Sequence, residues 1–412
     1  MNANEIEIMA PVGSYESLMA AIDAGADSVY FGVGQLNMRS HSANNFNLED
    51  LRNICSIAQE HNVKTYLTVN TVIYDDEIEY MQEVVRTAQQ SGISAIIASD
   101  MSVIAYANSI GQEIHLSTQC NVSNIEAVRY YSSFADVIVT ARELSLDKVK
   151  AITEKIKEQN IRGPKGELVR IECFVHGALC MAVSGKCYIS LDNANMSANR
   201  GACLQFCRRP YKVTDMDGGT ELMVDNQYIM SPKDLKTLDF IGKIIDAGVR
   251  VFKIEGRGRS PEYVKVVVRT YKEAVQAYCD GTWSEDKLKQ WNDNLRRVYN
   301  RDFWDGYYLG RKVGEWTEKY GSQATTTKVF VGTVTNYFKK LGVAEIRMES
   351  GEFALGDEFY IIGPTTGVLE GKAEEIRVDL QPVEKTVKGE FFSMPTSETV
   401  RRNDKLYLIV KK

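Results

Sequence analysis

The chain has 412 residues, which is too long for one ordinary hydrophobic core and predicts two or three domains. Its 44% hydrophobic and 25% charged residues are typical of a globular protein, and no apolar run approaches the roughly 20 residues that span a bilayer. A net charge of −6 argues against a protein that coats nucleic acid without selection, and the acidic start lacks the pattern of a secretory signal. We therefore expect a cytoplasmic protein with no membrane partner.

Eight short apolar segments, each followed by a helical pattern, predict parallel strands that are buried on both faces. They lie at 6–10, 28–32, 64–69, 95–99, 114–118, 136–140, 170–174 and 250–254. Eight strand–helix units fit a (β/α)8 TIM-like barrel. A doubly wound sheet is the alternative, but no Gly-x-Gly-x-x-Gly follows the first strand. We predict an α/β protein whose TIM-like barrel spans residues 1–280.

The crossover before the last barrel strand is longer than the others. Seven strands follow one another at intervals of roughly 20 to 35 residues, and the eighth comes about 80 residues after the seventh. Insertions at the carboxyl ends of barrel strands extend the face that carries active sites. We predict a Cys-rich insertion over 175–249, with a hairpin of strands 211–214 and 221–228, followed by a helix over 234–247.

Two further regions follow the barrel. Residues 281–322 contain a highly charged helix and then an aromatic connector marked by glycines. From residue 325 the apolar period changes to two, and Gly351, Gly356 and Gly363 separate short predicted strands. This pattern predicts a small C-terminal antiparallel β-barrel over 323–412.

The eight cysteines are unevenly distributed, since five of them fall between 173 and 207. A reducing compartment disfavours disulfides, so this clustering indicates metal or redox chemistry. Cys173 ends a predicted strand and is interpreted as a core residue. Three scattered cysteines are interpreted as buried apolar residues, namely Cys55, Cys120 and Cys279. The remaining four give the spacing C-x6-C-x15-C-x3-C, and they are Cys180, Cys187, Cys203 and Cys207.

Four thiolates at this spacing favour an iron–sulfur cluster, because soft sulfur matches iron and a cluster tolerates loops of unequal length. A structural zinc site usually has closer cysteine pairs, and it stays open as an alternative together with reduced or redox-active thiols. Glycines that allow tight turns precede three of the cysteines: Gly177, Gly185 and Gly201. Nearby arginines could offset the thiolate charge and lower the thiol pKa values, namely Arg200, Arg208 and Arg209.

Protease chemistry has less support in the sequence. There are only four histidines, and neither His-Glu-x-x-His nor Gly-x-Ser-x-Gly occurs. His176 lies near Cys173 and Cys180 in the sequence, so a Cys–His dyad is an alternative. As a loop residue at the end of a barrel strand, His176 is expected to orient a substrate or a cofactor instead.

Several motifs of this chain resemble the peptidase U32 family. The resemblance rests on Ala10-Pro-Val-Gly13, Gly25-Ala-Asp-Ser-Val-Tyr-Phe-Gly32, Ser117-Thr-Gln119, His176-Gly-Ala-Leu-Cys180, Ser184-Gly-Lys-Cys187 and Lys253-Ile-Glu-Gly-Arg257-Gly-Arg-Ser-Pro261. It covers roughly residues 6 to 320, and the last 90 or so residues resemble the C-terminal β-barrel of that family.

The resemblance implies an oxygen-independent hydroxylase rather than the collagenase for which the family was named. It implies a [4Fe–4S] cluster on four cysteines, namely Cys180, Cys187, Cys203 and Cys207. The close pair Cys203 and Cys207, with the β-barrel, favours the branch that hydroxylates tRNA uridine at C5 with prephenate. A 23S rRNA cytidine hydroxylase, a collagenase-like peptidase and a non-enzymatic cluster protein that partners another hydroxylase are the alternatives. The oligomeric state is not predicted.

On this hypothesis an unpaired uridine of the anticodon loop enters the barrel mouth. Asn70 and Gln119, at two predicted strand ends, could bind the uracil edge, and Tyr30 or Tyr66 could stack on the base. Guanidinium groups suit the two carboxylates of prephenate, and four arginines follow strand ends: Arg39, Arg142, Arg257 and Arg259. Glu255 is expected to order the last two of these through an ion pair.

A basic region is expected to bind RNA. Between residues 200 and 272 there are 14 Lys and Arg against 9 Asp and Glu, an excess of five positive charges on an acidic protein. Three residues beside the last cysteine are predicted to contact phosphate: Arg208, Arg209 and Lys212. The C-terminal β-barrel is interpreted either as an RNA-docking module or as a lid that stabilises the first domain.

Overall fold

The computed structural model describes residues 2–41, 46–214, 221–222, 229–310 and 314–412. The strands of its first 260 residues are β1 Glu7–Pro11, β2 Ser28–Gly32, β3 Lys64–Val69, β4 Ala95–Ala98, β5 Ile114–Leu116, β6 Val137–Val139, β7 Arg170–Gly177, β8 Val213–Thr214, β9 Glu221–Leu222, β10 Asp234–Lys236 and β11 Val251–Ile254. From β1 to β7 each strand pairs in parallel with the next, and β11 pairs with both β7 and β1. These eight parallel strands close a barrel within the described ranges, which confirms the predicted TIM-like fold.

Helices follow the barrel strands, as the sequence pattern predicts, and short helices lie in the insertion between β7 and β11. They are α1 Tyr15–Asp23, α2 Asp50–Glu60, α3 Ile78–Gln90, α4 Met101–Ser109, α5 Ile125–Tyr131, α6 Leu146–Glu158, α7 Ile189–Ala194, α8 Ile241–Asp246, α9 Pro261–Cys279 and α10 Glu285–Arg297. Ser14 caps α1 by accepting from the Ser17 amide, and Leu18 and Ala21 on its inner face are buried. No helix in these ranges is both long and apolar enough to cross a membrane.

Charged side chains fill the barrel interior near the amino ends of its strands. Glu7, 6% exposed, accepts hydrogen bonds from Tyr66 Oη at 2.6 Å and from Lys64 Nζ and Arg170 Nη1 at 3.1 Å each. Burial alone would raise the pKa of Glu7, but Lys64, His115, the Tyr66 hydroxyl and Arg170 together hold that pKa at about 2. The carboxylate form of Glu7 therefore stabilises the folded barrel.

We expect acid to remove the contribution of Glu7 to stability. Because its pKa falls from 4.5 to about 2 on folding, the contribution is complete above about pH 4.5 and is lost as the pH falls to 2. Glu7→Gln should lower the free energy of unfolding by about 3 kcal/mol at pH 7 and by much less at pH 2. Urea denaturation at both pH values measures this difference. Glu126→Gln on α5, where the side chain is 73% exposed, is the control; equal losses in the two variants would contradict the expectation.

The insertion between β7 and β11 departs in part from its prediction. Residues 234–236 form a strand, and the helix begins only at Ile241, so the predicted helix over 234–247 is wrong in its first half. The reason is tertiary, because β10 pairs with the extended end of β7 and with β12 (Phe303–Trp304). The predicted hairpin is present as the antiparallel pair β8 and β9. Residues 223–228 of its second predicted strand lie outside the described ranges.

The C-terminal residues form the expected antiparallel β-structure. Its strands are β13 Thr326–Phe338, β14 Val343–Met348, β15 Glu352–Ala354, β16 Glu358–Gly363, β17 Gly367–Lys372, β18 Arg377–Val378, β19 Gln381–Pro382, β20 Lys385–Val387, β21 Phe391–Pro395 and β22 Lys405–Lys411. The main sheet has the order β17-β16-β22-β13-β14-β21-β18-β19 and its own apolar core. Tyr360 and Val368 pack on Ala20 of α1, and Lys265 of α9 donates to the Val368 carbonyl. The sheet is thus fixed to the outer wall of the barrel.

Candidate active site

A cavity of about 310 Å³ opens at the carboxyl ends of the barrel strands, within the range of roughly 300–1,000 Å³ that is usual for small-molecule pockets. Strand ends contribute one part of its wall, with Tyr30, Thr68, Asn70, Ile97, Gln119, Arg142, Phe174, Lys253 and Arg257 among the lining residues. The insertion contributes the other part, from Ala178 to Arg208. None of the lining residues comes from the C-terminal sheet. The cavity occupies the position at which TIM barrels carry their active sites.

The four cysteines predicted to act together all line this one cavity: Cys180, Cys187, Cys203 and Cys207. All four are free thiols, and Cys180 is exposed at the rim. Burial raises the pKa of Cys187 and Cys207, and the neighbouring thiols raise both values further, so the four groups are close enough to interact. Cys173 lies apart, buried in β7 with its Sγ 3.3 Å from Thr140 Oγ1. It is a core residue, as predicted.

The donor set can be tested against the two metal sites that the spacing left open. Among the described side chains, no group of three or more His, Cys, Asp or Glu is placed to hold one metal ion. A structural zinc ion needs four ligands around a single centre. In a cubane cluster each cysteine binds a different iron, so the ligands stand around a larger group. Four thiols that line one cavity are the type of donor set that an iron–sulfur cluster uses.

Two arginines predicted to offset thiolate charge also hold the insertion in place. Burial raises the pKa of Cys207, and the positive charge of Arg208 lowers it, as predicted. Arg200 donates to both Glu77 oxygens and to the Val72 carbonyl, which ties the insertion to the loop before α3. Arg208 donates to the carbonyls of Leu179 and Pro232, each at 2.6 Å, and burial lowers its pKa. Arg208 lines the cavity, but these backbone contacts occupy its guanidinium, which disagrees with its predicted role at phosphate. The two arginines set the positions of the cysteine loops.

Glu255 organises the arginines on the barrel side of the cavity. It accepts from Arg39 Nη2 at 2.9 Å, whereas the predicted partners were Arg257 and Arg259. Burial opposes its charge, yet Arg39, Arg142 and Arg257 hold the pKa of Glu255 at about 2. Arg257 is 7% exposed and donates to Thr68 Oγ1 at 2.8 Å and to Asn37 Oδ1 at 3.1 Å. These contacts hold Arg39 and Arg257 in fixed orientations beside the cavity.

Positive charge dominates the cavity wall. Among the lining residues of the described chain, Glu255 is the one carboxylate and seven side chains are cationic: Arg39, Arg142, Arg208, Lys253, Arg257, Arg259 and Arg301. The guanidinium of Arg259 lies 3.6 Å from the centre of the Tyr299 ring, and no carboxylate pairs with it within the described ranges. Four thiolates can offset only part of this charge, so the cavity favours an anionic ligand.

The two amide side chains predicted to bind a base both reach the cavity. Asn70 accepts from the Met38 amide at 3.2 Å and donates to Ser117 Oγ at 3.3 Å, so neighbouring groups already use both ends of its amide. Gln119 Oε1 is buried and has no hydrogen-bond partner in the described structure. A buried acceptor without a partner is costly unless a ligand or water satisfies it. Gln119 is therefore the better candidate to contact a bound molecule.

His176 and Tyr66 do not lie where the sequence analysis expected them. His176 is still within β7, is 1% exposed and places Nδ1 3.3 Å from the Tyr271 hydroxyl. The ladder between β7 and β11 shifts register between Phe174 and His176, and such a bulge turns the side chain away from the cavity that Phe174 lines. Burial lowers the pKa of His176 to about 3, so the ring is neutral. Tyr66 is 1% exposed inside the barrel, where it bonds Glu7.

The other two predicted phosphate contacts, Arg209 and Lys212, are exposed and lie outside the cavity wall. Lys253 and Arg301 line the cavity but were not among the predicted site residues. Lys253 is 5% exposed and donates to Glu172 Oε1 at 2.8 Å. The sequence did offer a signal for Lys253, because this residue lies one position before a strand end and in the same motif as Arg257. Arg301 follows α10 and bonds Asp234, and no local pattern marked it.

A closed parallel barrel with a polar, thiol-lined cavity at the carboxyl ends of its strands defines a TIM-barrel protein with the architecture of an enzyme. The chain belongs to Peptidase family U32, whose model matches residues 13–318. It is 62% identical over 412 residues, all of both chains, to a protein of Porphyromonas gingivalis named collagenase. It is 32% identical over 366 residues, 87% of this chain and 83% of the relative, to tRNA hydroxylation protein P1 of Bacillus subtilis. It is 36% identical over 278 residues, 67% of this chain and 40% of the relative, to a 23S rRNA 5-hydroxycytidine synthase of Escherichia coli.

Proposed function

We propose that this chain is an oxygen-independent RNA hydroxylase that converts uridine to 5-hydroxyuridine in the tRNA anticodon loop. The observation that carries the proposal is one cavity that combines four free thiols with a large excess of positive charge. A family relative that aligns with 87% of the chain is named a tRNA hydroxylation protein, which supports tRNA as the substrate. A tRNA substrate would place the protein in the cytoplasm.

The cofactor that suits this cavity is a [4Fe–4S] cluster. It would be held by Cys180, Cys187, Cys203 and Cys207, and it would supply one-electron redox chemistry beside the substrate. The insertion holds these cysteines through Arg200 and Arg208, whose hydrogen bonds fix the loops on either side. The protein's own contribution is to position the thiols before the cofactor binds.

The co-substrate is proposed to be prephenate, a dicarboxylate. Arg259 is the cavity arginine best placed for it, because its guanidinium is held over Tyr299 and has no acidic partner in the described chain. Arg257 is oriented by Thr68 and Asn37 and could accept a second carboxylate. Glu255 keeps Arg39 oriented and limits the excess of positive charge.

The base would enter from the open rim. An anticodon-loop uridine is unpaired, so only its stacking must be broken, at a cost of a few kcal/mol or less. Gln119 has the free buried acceptor that could receive a hydrogen bond from the N3–H of uracil. Asn70 would position the neighbouring Ser117 and Met38 rather than bind the base directly.

The test is nucleoside analysis of tRNA by liquid chromatography and mass spectrometry. The gene is expressed in cells that lack every tRNA uridine 5-hydroxylation pathway. We expect it to restore 5-hydroxyuridine and its derivatives, and to do so without oxygen when prephenate is made. Unchanged tRNA from cells that contain iron-loaded protein would overturn the proposal. 5-Hydroxycytidine appearing in 23S rRNA would instead indicate the activity named for the Escherichia coli relative.

A peptidase is the second candidate, because the relative at 62% identity is named collagenase. The described residues do not assemble a nucleophile and a base for it. His176 contacts Tyr271 and His115 is buried between Glu113 and Glu172, and no histidine side chain in these ranges hydrogen-bonds a cysteine. Gelatin digestion by iron-free protein, lost in the His176→Ala variant, would favour the peptidase.

A further inference from the structure

A second groove lies beside the cavity and shares a wall with it. This side groove, of about 320 Å³, is lined by Cys203, Leu204, Gln205, Arg208, Arg209 and Tyr320. Three of these residues, Cys203, Gln205 and Arg208, also line the cavity. The loop 203–208 therefore has the proposed cofactor and substrate on one side and the side groove on the other.

The shared wall is held in an unusual backbone conformation. Gln205 has a φ of +54°, in the left-handed region that side chains other than glycine rarely adopt. The Leu204 amide donates to Ser190 Oγ at 3.0 Å, and Arg208 ties the other end of the loop to Leu179. Such strain persists where the surroundings hold it, and it is frequent at ligand-binding sites. The loop 203–208 is thus a fixed wall between the cavity and the side groove.

The side groove offers groups that bind single-stranded nucleic acid. Tyr320 is 72% exposed and Leu204 is 40% exposed, so an aromatic side chain and an apolar side chain both present surface to the solvent at this groove. The guanidinium of Arg209 lies 4.2 Å from the centre of the Phe206 ring, and no acidic group pairs with it in the part of the chain described. An aromatic ring beside an arginine of this kind can stack a base and contact its phosphate.

The charge of the surrounding segment is complementary to the phosphates of RNA. Residues 178–212 contain five Lys and Arg but one Asp, an excess of four basic side chains before the cysteine thiolates of the proposed cofactor site are counted, on a chain whose net charge is −6. Local positive charge on an acidic protein selects a polyanion at this face.

We propose that the side groove binds a nucleotide that flanks the modified base, with its base on Tyr320 and its phosphate at Arg209. This proposal rests on the RNA hydroxylase function proposed above. One base would enter the cavity while a neighbour on the same strand is held across the 203–208 loop. The groove would therefore select an unpaired RNA loop. In a duplex, two neighbouring bases stay stacked and could not lie on opposite sides of the 203–208 loop.

The test is equilibrium binding of a fluorescently labelled anticodon stem-loop RNA, measured by anisotropy with anaerobically purified protein. Tyr320→Ala should weaken binding about 5- to 100-fold, whereas Tyr320→Phe should retain affinity because it keeps the ring. Arg209→Gln should weaken binding and reduce by about one the slope of log affinity against log salt concentration. Iron content and the urea midpoint should match the unsubstituted protein in all three variants.

The controls use the same residue types away from both spaces. Tyr130→Ala and Arg129→Gln lie on α5, where Tyr130 is 61% exposed, and should leave RNA affinity unchanged. If the unsubstituted protein binds the RNA and Tyr320→Ala binds it equally well, the side-groove proposal is overturned while the hydroxylase function stands. If no RNA binds to iron-loaded protein, the proposed function itself fails. Unchanged RNA affinity with reduced hydroxylation in cells would assign the groove to a protein redox partner and would also overturn the proposal.

Discussion

Cys207→Ser is expected to remove most of the iron from anaerobically purified protein and to lower tRNA hydroxylation at least about 100-fold. Changes in the outer shell of a metal site typically cost 10- to 100-fold, and the loss of a direct ligand should cost more. Serine keeps the size of the side chain but replaces soft sulfur with a hard oxygen that matches iron poorly. Cys207 lines the cavity with three other thiols, so the effect should be local to the cofactor. Iron analysis and the visible spectrum measure the loss of the cofactor, and nucleoside analysis measures the loss of tRNA hydroxylation.

Cys279→Ser is the matched control for this prediction. Cys279 is a free cysteine at the end of α9 and lines no part of the cavity. It should retain iron, spectrum and hydroxylation at the level of the unsubstituted protein. Iron contents that are equal in the Cys207→Ser and Cys279→Ser variants would show that the cavity thiols do not hold the cofactor.

Glu172→Gln is expected to lower the free energy of unfolding by about 3–5 kcal/mol. Glu172 is fully buried, accepts from Lys253 Nζ at 2.8 Å and lies 3.8 Å from His115 Nδ1. Removing its charge leaves the buried Lys253 ammonium without a counter-charge, which costs far more than the loss of an exposed pair. The midpoint of urea denaturation near pH 7 measures the change.

An exposed ion pair of this protein provides the comparison. Lys385 and Glu352 are 3.1 Å apart on the C-terminal strands, with side chains 59% and 64% exposed. Glu352→Gln should change stability by no more than about 1 kcal/mol. The double change Glu172→Met and Lys253→Met should recover much of the lost stability, because no buried charge then remains unpaired. Equal urea midpoints for Glu172→Gln and Glu352→Gln would contradict the prediction that breaking the buried pair destabilises the protein more than breaking the exposed pair.

The sequence alone was sufficient to predict the barrel and to identify the four cysteines that line one cavity. Strands that are buried on both faces are apolar throughout, so β2 and β3 were predicted with the residues that the structure gives them. The start of α1 is likewise set locally, because Ser14 accepts from the Ser17 amide within the first turn. The spacing of the cysteines identified a common site before any geometry was known, since thiols cluster in this way for few other reasons.

Tertiary structure decided the details that depend on neighbours distant in the chain. Asp234–Lys236 became a strand because β7 and β12 supply hydrogen-bond partners on both sides. The bulge in β7 decided that His176 faces Tyr271 rather than the cavity, although its position after an apparent strand end suggested otherwise. The sequence pattern of β7 alone does not predict such a register shift, because the shift depends on how β7 pairs with β11.

The same limit applies to the arginines, which are chemically alike in the sequence. Arg208 bonds backbone carbonyls, Arg39 pairs with Glu255, and Arg259 stacks on a ring without an acidic partner in the described chain. Which guanidinium remains available to a ligand depends on where carboxylates and carbonyls lie after folding. Residue type and spacing therefore determined that the protein has a barrel and a thiol site. The folded arrangement of charges decided which side chains can act at that site, because electrostatic interactions depend on distance in space rather than along the chain.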